Sequence, residues 1–256
     1  MTTHGADTLR VTRPDGAPAG RPGLWIFGCS FVHGWGLNDD QTLPWKLQER
    51  LPSFDVANFG VGGYSTVQSL LQFRKALLTK RAPAIAVLGY AGFHAERNTL
   101  SRRWRKGGFE YEHLGTTTSP YAKLEGEKVE ILFDRPSYAG FSLLQMSAVA
   151  EMVDEAYAPF DVRLRSSHRV SELLVDDFAH EAAIHDVRLV VAGISREPDT
   201  ERMLEYAAEH GIPTIDASVD LTRWVNRIRW DGHPSGLANA KSADAIAGLL
   251  RNLQTD

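Results

Sequence analysis

The sequence predicts an α/β protein whose parallel sheet is covered on both faces, and three observations predict it. Short runs such as Leu24-Trp25-Ile26-Phe27 and "AIAVLGY" are continuously apolar, as strands are when both of their faces are buried. Segments with helical spacing alternate with these runs. With 256 residues, 43% of them hydrophobic and 23% charged, the chain is long enough to enclose one large core. Five strands in this rhythm suit a three-layer α/β/α arrangement with the flavodoxin-like strand order.

The elements follow in order. Residues 1–22 are rich in Gly, Pro, Ala and Thr and are expected to form a mobile tail ahead of the domain, 23–256. The first strand, 24–27, ends in a glycine turn. "TLPWKLQERL" then predicts a helix and "SFDVANFG" a second strand. In "YSTVQSLLQFRKALLTKRAP", Ser65 and Gln68 have capping-box spacing, Val67, Leu70, Leu71, Leu77 and Leu78 repeat at helical intervals, and Pro83 marks the end. "AIAVLGY" is the third strand. "VRLVVAG" and "IPTID" supply the last two, each preceded by a helical pattern, and "SGLANAKSADAIAGLLRNL" closes the chain as a helix.

The alternation breaks once, at about 99–166. There "YAKLEGEKVEILF" reads as a β-hairpin around Gly126-Glu127, followed by the apolar "FSLLQMSAVAEMVDEAYAPF". An insertion of this length after the third strand is expected to be an elaboration over one edge of the sheet that helps select the substrate. The basic cluster Arg97, Arg102, Arg103, Arg105 and Lys106 at its start reads as a solvated face ahead of an anion site.

A net charge of −4 gives no electrostatic case for nucleic acid. No apolar run approaches membrane-spanning length and the N-terminus lacks the apolar stretch of a signal peptide, so no membrane partner and a cytoplasmic location are expected. The single cysteine, Cys29, excludes an internal disulfide. The nine histidines show no paired-ligand spacing, so neither a metal nor another cofactor is expected. Nothing in the sequence fixes the oligomeric state.

Two short stretches carry candidate chemistry. Ser30, just past the first strand in "FGCSF", lies where open α/β sheets bind ligands. It reads either as a nucleophile or as a residue that begins a helix. Asp231 and His233 stand two apart in "DGHPS", before the last helix. There the carboxylate can orient an imidazole that takes a hydroxyl proton, or the pair can be an Asx-turn and a surface histidine. With Val32 two residues after Ser30, the Gly-x-Ser-x-Gly elbow is absent. "GVGGYS" also lacks the dinucleotide-binding spacing. Cys29, on the other side of the pleat from Ser30, reads as buried packing.

Together these motifs resemble the SGNH (GDSL-type) hydrolase family. "FGCSF" resembles its first block, "NFGVGGYST" its second and "DGHPS" its last, in the family's order, over about residues 24–254. The resemblance implies an SGNH-like α/β/α fold, Ser30 as nucleophile, His233 as base and Asp231 as its orienting partner. It also implies oxyanion donors at the main-chain N–H groups of Ser30 and Gly63. One block departs from the pattern: "LGYAGFHAERN" places Ala91 where the family has an asparagine that donates to the oxyanion. If "FHAERN" is helical, residues 91, 94, 95 and 98 share a face, which makes His94, ahead of Asn98, the candidate replacement. The implied activity is hydrolysis of a small-molecule ester or thioester through an acyl-enzyme. The runner-up is acyl transfer to an alcohol or amine, and the reading from another class is an SGNH-fold binding protein with little turnover.

Overall fold

The computed structural model describes residues 1–5, 8–14, 20–109, 118–134 and 147–253. The chain divides into two compact units, one made of Met1–Gly92 with Val175–Asp256 and the other of Phe93–Leu174.

The first unit contains β1 (Gly23–Phe27), α1 (Ser30–His33), α2 (Leu43–Arg50), β2 (Asp55–Asn58), α3 (Thr66–Leu77) and β3 (Ile85–Tyr90). The second contains α4 (His94–Asn98), α5 (Arg102–Phe109), β4 (Ser119–Glu125), β5 (Lys128–Asp134) and α6 (Ala148–Leu164). The boundary falls within α7 (Ser167–Ile184). The first unit then resumes with β6 (Arg188–Gly193), α8 (Pro198–Glu209), β7 (Thr214–Asp216) and α9 (Gly236–Asn252).

The sheet of the first unit is parallel throughout, in the order β2-β1-β3-β6-β7. This is the flavodoxin-like order expected. Central β1 pairs on both sides, Leu24 standing opposite both Val56 and Ile85. Leu24, Ile26 and Phe27 are wholly buried, which is why this strand reads as a continuous apolar run. An aromatic cluster fills the space between the sheet and two helices. Phe27 stacks on Phe59 with ring centres 4.7 Å apart, and Phe73 of α3 stacks on Phe178 of α7 at 4.9 Å. Ala243, Ile246, Ala247 and Leu250 bury the inner face of α9. The predicted capping box is present, Ser65 and Gln68 closing it on α3; at the start of α9 the Ser235 hydroxyl accepts from the Ala238 N–H.

The N-terminal segment differs from the expected mobile tail. Residues 6–7 and 15–19 lie outside the described residues, but Arg10 and Thr12 are buried. The Thr12 hydroxyl donates to the Val56 carbonyl at 2.7 Å, and Arg10 forms a 2.8 Å ion pair with Asp39. Composition marked the segment as polar and turn-rich, but not that its side chains have specific acceptors.

The insertion is a compact unit in its own right, residues 110–117 and 135–146 lying outside the described ones. Its hairpin forms as expected, Glu125 pairing with Lys128 around Gly126-Glu127. Its basic cluster is a partly exposed, ion-paired face. Arg102 pairs with Asp154 at 2.5 Å, Lys106 with Glu151 at 2.5 Å and Arg103 with Glu155 at 2.7 Å. Arg97 lies over the rings of Phe93 and Trp104. Ion pairs thus join α5 to α6, a long-range pairing that a local charge run does not disclose.

Candidate active site

The carboxyl edge of the sheet places Ser30. The chain leaves β1 at Gly28, and Cys29, fully buried as expected, precedes Ser30 as the first residue of α1. The N–H groups at a helix start have no intrahelical acceptor, so the main-chain N–H of Ser30 is directed away from the helix. Ser30 itself is 9% exposed, less open than a free turn. The helix is one turn long and ends at Gly34, whose left-handed backbone (φ +83°) carries an N–H that donates to the Ser30 carbonyl at 2.9 Å. Arg10 holds this end of α1, donating to the carbonyls of His33, Gly34 and Leu37 at 3.0, 2.6 and 2.6 Å.

Asp231 and His233 sit on a tight antiparallel turn between β7 and α9. Arg227 bridges to Pro234, the Ile228 N–H donates to the His233 carbonyl at 2.7 Å, and the Ser235 N–H donates to Asn226 at 2.9 Å. Buried Asn226 anchors the base of the turn: its amide donates to the Asp220 carbonyl at 2.7 Å and accepts from Lys241 at 2.9 Å. The turn brings the His233 Nδ1–H onto Asp231 Oδ1. In the tautomer that donates Nδ1–H to Asp231, Nε2 is the ring's acceptor, and it stands 2.9 Å from the Ser30 Oγ. The edge of Phe31 packs against the same ring, centres 5.4 Å apart. Ser30, His233 and Asp231 therefore form one hydrogen-bonded chain.

Gly63 lies on the loop between β2 and α3, with a left-handed backbone (φ +81°) that favours glycine. Four hydrogen bonds fix this loop. The Gly60 N–H donates to Asn58 Oδ1 at 2.9 Å, His33 Nδ1–H donates to the Gly60 carbonyl at 3.1 Å, and the Val61 N–H donates to the Gly28 carbonyl at 3.1 Å. The Tyr64 N–H closes the turn on Val61 at 3.2 Å. Burial lowers the His33 pKa, although its bond to Gly60 works the other way.

His94 and Asn98 belong to α4, in the second unit, and Ala91 is buried at the end of β3, in the first. α4 confirms the expected helix in "FHAERN". His94 is fully buried beside the Phe93 ring, and burial, aided by the nearby Arg97 charge, holds its pKa well below the ordinary histidine value. The Asn98 amide donates to Ser171 Oγ at 2.9 Å within the same unit. The first unit alone supplies Ser30, Gly63, Asp231 and His233.

Exposed apolar surface lies beside the Asp231–His233 turn. Trp224 and Trp230 are largely exposed and, with Val225, Arg227 and Arg229, line a groove of about 620 Å³. Exposed Trp35 lies beside Gly62 of the Gly63 loop. Trp230 holds a left-handed backbone (φ +72°), uncommon for a bulky residue, next to Asp231. Sequence reasoning missed Arg10, His33 and Asn226. His33 was the most accessible of these, three residues after Ser30 and so on the same side of a helical turn. Arg10 and Asn226 carried no local signal, because their partners are carbonyls distant in sequence.

A doubly wound parallel sheet with a serine–histidine–aspartate chain at its carboxyl edge defines the class of fold and site found here, and solved structures share that fold. The crystal structure of TesA superposes with a TM-score of 0.51 at 16% identity, covering 90% of this chain and 99% of that one. A protein assigned to the lipolytic G-D-S-L family, from Desulfitobacterium hafniense DCB-2, superposes with a TM-score of 0.52 at 10% identity, over 90% and 99% of the two chains. At these identities the likeness is one of fold, and the fold is the one that the SGNH resemblance implied. No protein-family model and no curated protein sequence matches the chain. Among the described residues no helix is long and apolar enough to cross a membrane.

Proposed function

We propose that the protein is a serine-dependent acyl hydrolase of the SGNH type, acting on a small-molecule ester or thioester. The observation that carries this reading is the 2.9 Å contact between Ser30 Oγ and the His233 Nε2, in a ring whose other nitrogen is bonded to Asp231. A serine hydroxyl is a poor nucleophile until a base removes its proton. His233 takes that proton as Oγ attacks the substrate carbonyl, and Asp231 stabilises the imidazolium that results. The N–H groups of Ser30 and Gly63 donate to the oxyanion. On collapse, His233 returns the proton to the leaving oxygen or sulfur, and the acyl group remains on Ser30. Water, deprotonated by His233, then attacks the acyl-enzyme and releases the acid. An alcohol or amine in place of water gives the acyltransferase reaction through the same intermediate.

The exposed tryptophans beside the turn suit the apolar part of such a substrate. The donor absent at Ala91 is the one departure from the family pattern, and His94, ahead of Asn98, is the replacement that the sequence spacing offers.

A fluorophosphonate probe tests the reading directly. Ser30 is labelled in the wild type, and Ser30→Ala removes both labelling and turnover of p-nitrophenyl esters and acyl thioesters. His233→Ala loses nearly as much, because members of such a unit do not contribute additively. A folded Ser30→Ala variant with full turnover refutes the mechanism. Labelling of Ser30 without turnover of any donor, even with alcohols or amines added, favours the binding-protein reading.

A further inference from the structure

Six of the large apolar side chains exposed on this protein lie on one helix, α6. Val149 is 69% exposed, Met152 72%, Val153 59%, Tyr157 40%, Phe160 53% and Leu164 62%. Their spacing of three and four residues makes a continuous stripe, running about 22 Å along the helix at 1.5 Å per residue. The opposite side is acidic, with its two aspartates turned inward and its glutamates ion-paired at the surface. Asp154 and Asp161 are buried, Asp154 pairing with Arg102 and Asp161 with Arg165, while Glu151 and Glu155 pair with Lys106 and Arg103. The helix is therefore amphipathic in the inverted sense. Charges hold it to its own unit and its apolar face is bare.

At roughly 150–200 Å² for a fully exposed side chain of this size, the stripe leaves on the order of 600 Å² of apolar surface. That is at or above the largest patch on a typical monomer, about 300–600 Å². Two such faces pressed together bury about 1,200 Å², the lower end of the range for specific stable interfaces.

We propose that this face of α6 is a homodimer interface, paired with the same face of a second copy of the chain about a two-fold axis. The charge pattern selects that occupant. Helices that lie on anionic membranes carry lysine and arginine on their polar side, but here that side is acidic and already paired within the unit. The exposed side offers only Arg163 as a charge, so a charged macromolecule finds no complement there. A second copy brings the same uncharged stripe, which is the self-complementarity that an isologous contact needs. Tyr157 and Phe160, with ring centres 5.5 Å apart, form a ready-packed aromatic pair within it.

Light scattering coupled to size exclusion, from about 1 to 100 µM protein, tests the state, and two variants test the face. The wild type is expected to be dimeric. Val153→Glu raises the dimer dissociation constant at least about 100-fold, because each copy would bury an unpaired carboxylate. Its near-UV circular dichroism and phosphonate labelling at Ser30 stay unchanged. Ala156→Cys, at the midpoint of α6 where a two-fold helix pair crosses, yields a disulfide-linked dimer on mild oxidation. The wild type, whose single cysteine is buried Cys29, yields none. This cross-link decides the matter even if Val153→Glu fails to fold. A wild type that stays monomeric at every concentration overturns the proposal. So does a dimer indifferent to Val153→Glu that gives no Ala156→Cys cross-link. Binding of a monomer to phosphatidylcholine–phosphatidylglycerol vesicles through this face overturns it in favour of a lipid surface. The outcome is independent of whether Ser30 turns over esters.

Discussion

Gly60 and Gly62 stand two apart on one loop, yet the structure predicts opposite outcomes for Gly60→Ala and Gly62→Ala. A Cβ at Gly60 would lie 2.4 Å from the His33 backbone nitrogen and 2.8 Å from the Val32 carbonyl carbon. Both are main-chain atoms of α1 that cannot swing aside. Ordinary contact for a Cβ begins at 3.4 Å, so the loop must retreat from α1 by about 1 Å, and the bonds from His33 to Gly60 and from Val61 to Gly28 stretch with it. Gly63 lies three residues further on, and a misplacement of about 1 Å in a catalytic contact can cost ~10²-fold in rate. The expected result for Gly60→Ala is a kcat about 100-fold lower, equivalent to ~2.7 kcal/mol of lost transition-state stabilisation, with KM changed far less. At Gly62 the added methyl meets only the edge of the Trp35 ring at 4.0 Å, so Gly62→Ala should keep kcat within about twofold. The assay is steady-state hydrolysis of p-nitrophenyl acetate and butyrate. Phosphonate titration of Ser30 counts the active sites, and circular dichroism checks the fold. A folded Gly60→Ala protein with full kcat would refute the reasoning, because Gly63 could not then be an oxyanion donor held by this loop.

Arg10→Met keeps the length of the side chain but leaves Asp39 and three carbonyls without their cation. It should destabilise the first unit by about 3 kcal/mol, the low end for a broken buried pair, read as a drop in the urea midpoint at unchanged slope. His94 sets a pH dependence. Its folded pKa lies well below its ordinary value of 6.5, so the stability linked to its neutral form is fully present above pH 6.5 and is lost as pH falls below it. Between pH 7.5 and 5.5 the wild type should therefore lose more stability than His94→Gln, measured by urea unfolding at both values. Equal losses in the two proteins would mean that His94 is not held neutral by burial.

The sheet was the most legible part of the chain, for a physical reason. Strands buried on both faces must be apolar where they are buried, so residues 24–27, 85–90 and 189–193 stand out without any partner in view. The Ser65 cap was legible because its partner Gln68 lies three residues away. The candidate triad was legible only through its motifs. Nothing between Ser30 and His233 in sequence foretells a 2.9 Å contact across 203 positions. The N-terminal segment was misread because Arg10 acts through carbonyl acceptors, which composition cannot reveal. The autonomy of Phe93–Leu174 was hidden for a related cause. Ion pairs rather than a hydrophobic stripe join α5 to α6, so the apolar residues of α6 point the opposite way from the face a sequence pattern would bury.

Asp231 and His233 ride on a turn that adds no strand to the sheet and rests on Asn226 and two main-chain hydrogen bonds. The proposed base and its orienting acid can therefore be exchanged, over generations, at almost no expense to folding. A lineage carrying this architecture could lose turnover by altering Asp231 or His233 while retaining the sheet and the Ser30 helix. It could regain turnover by the same route. For proteins of this build, the distance between a hydrolase and a ligand carrier is set by one surface turn.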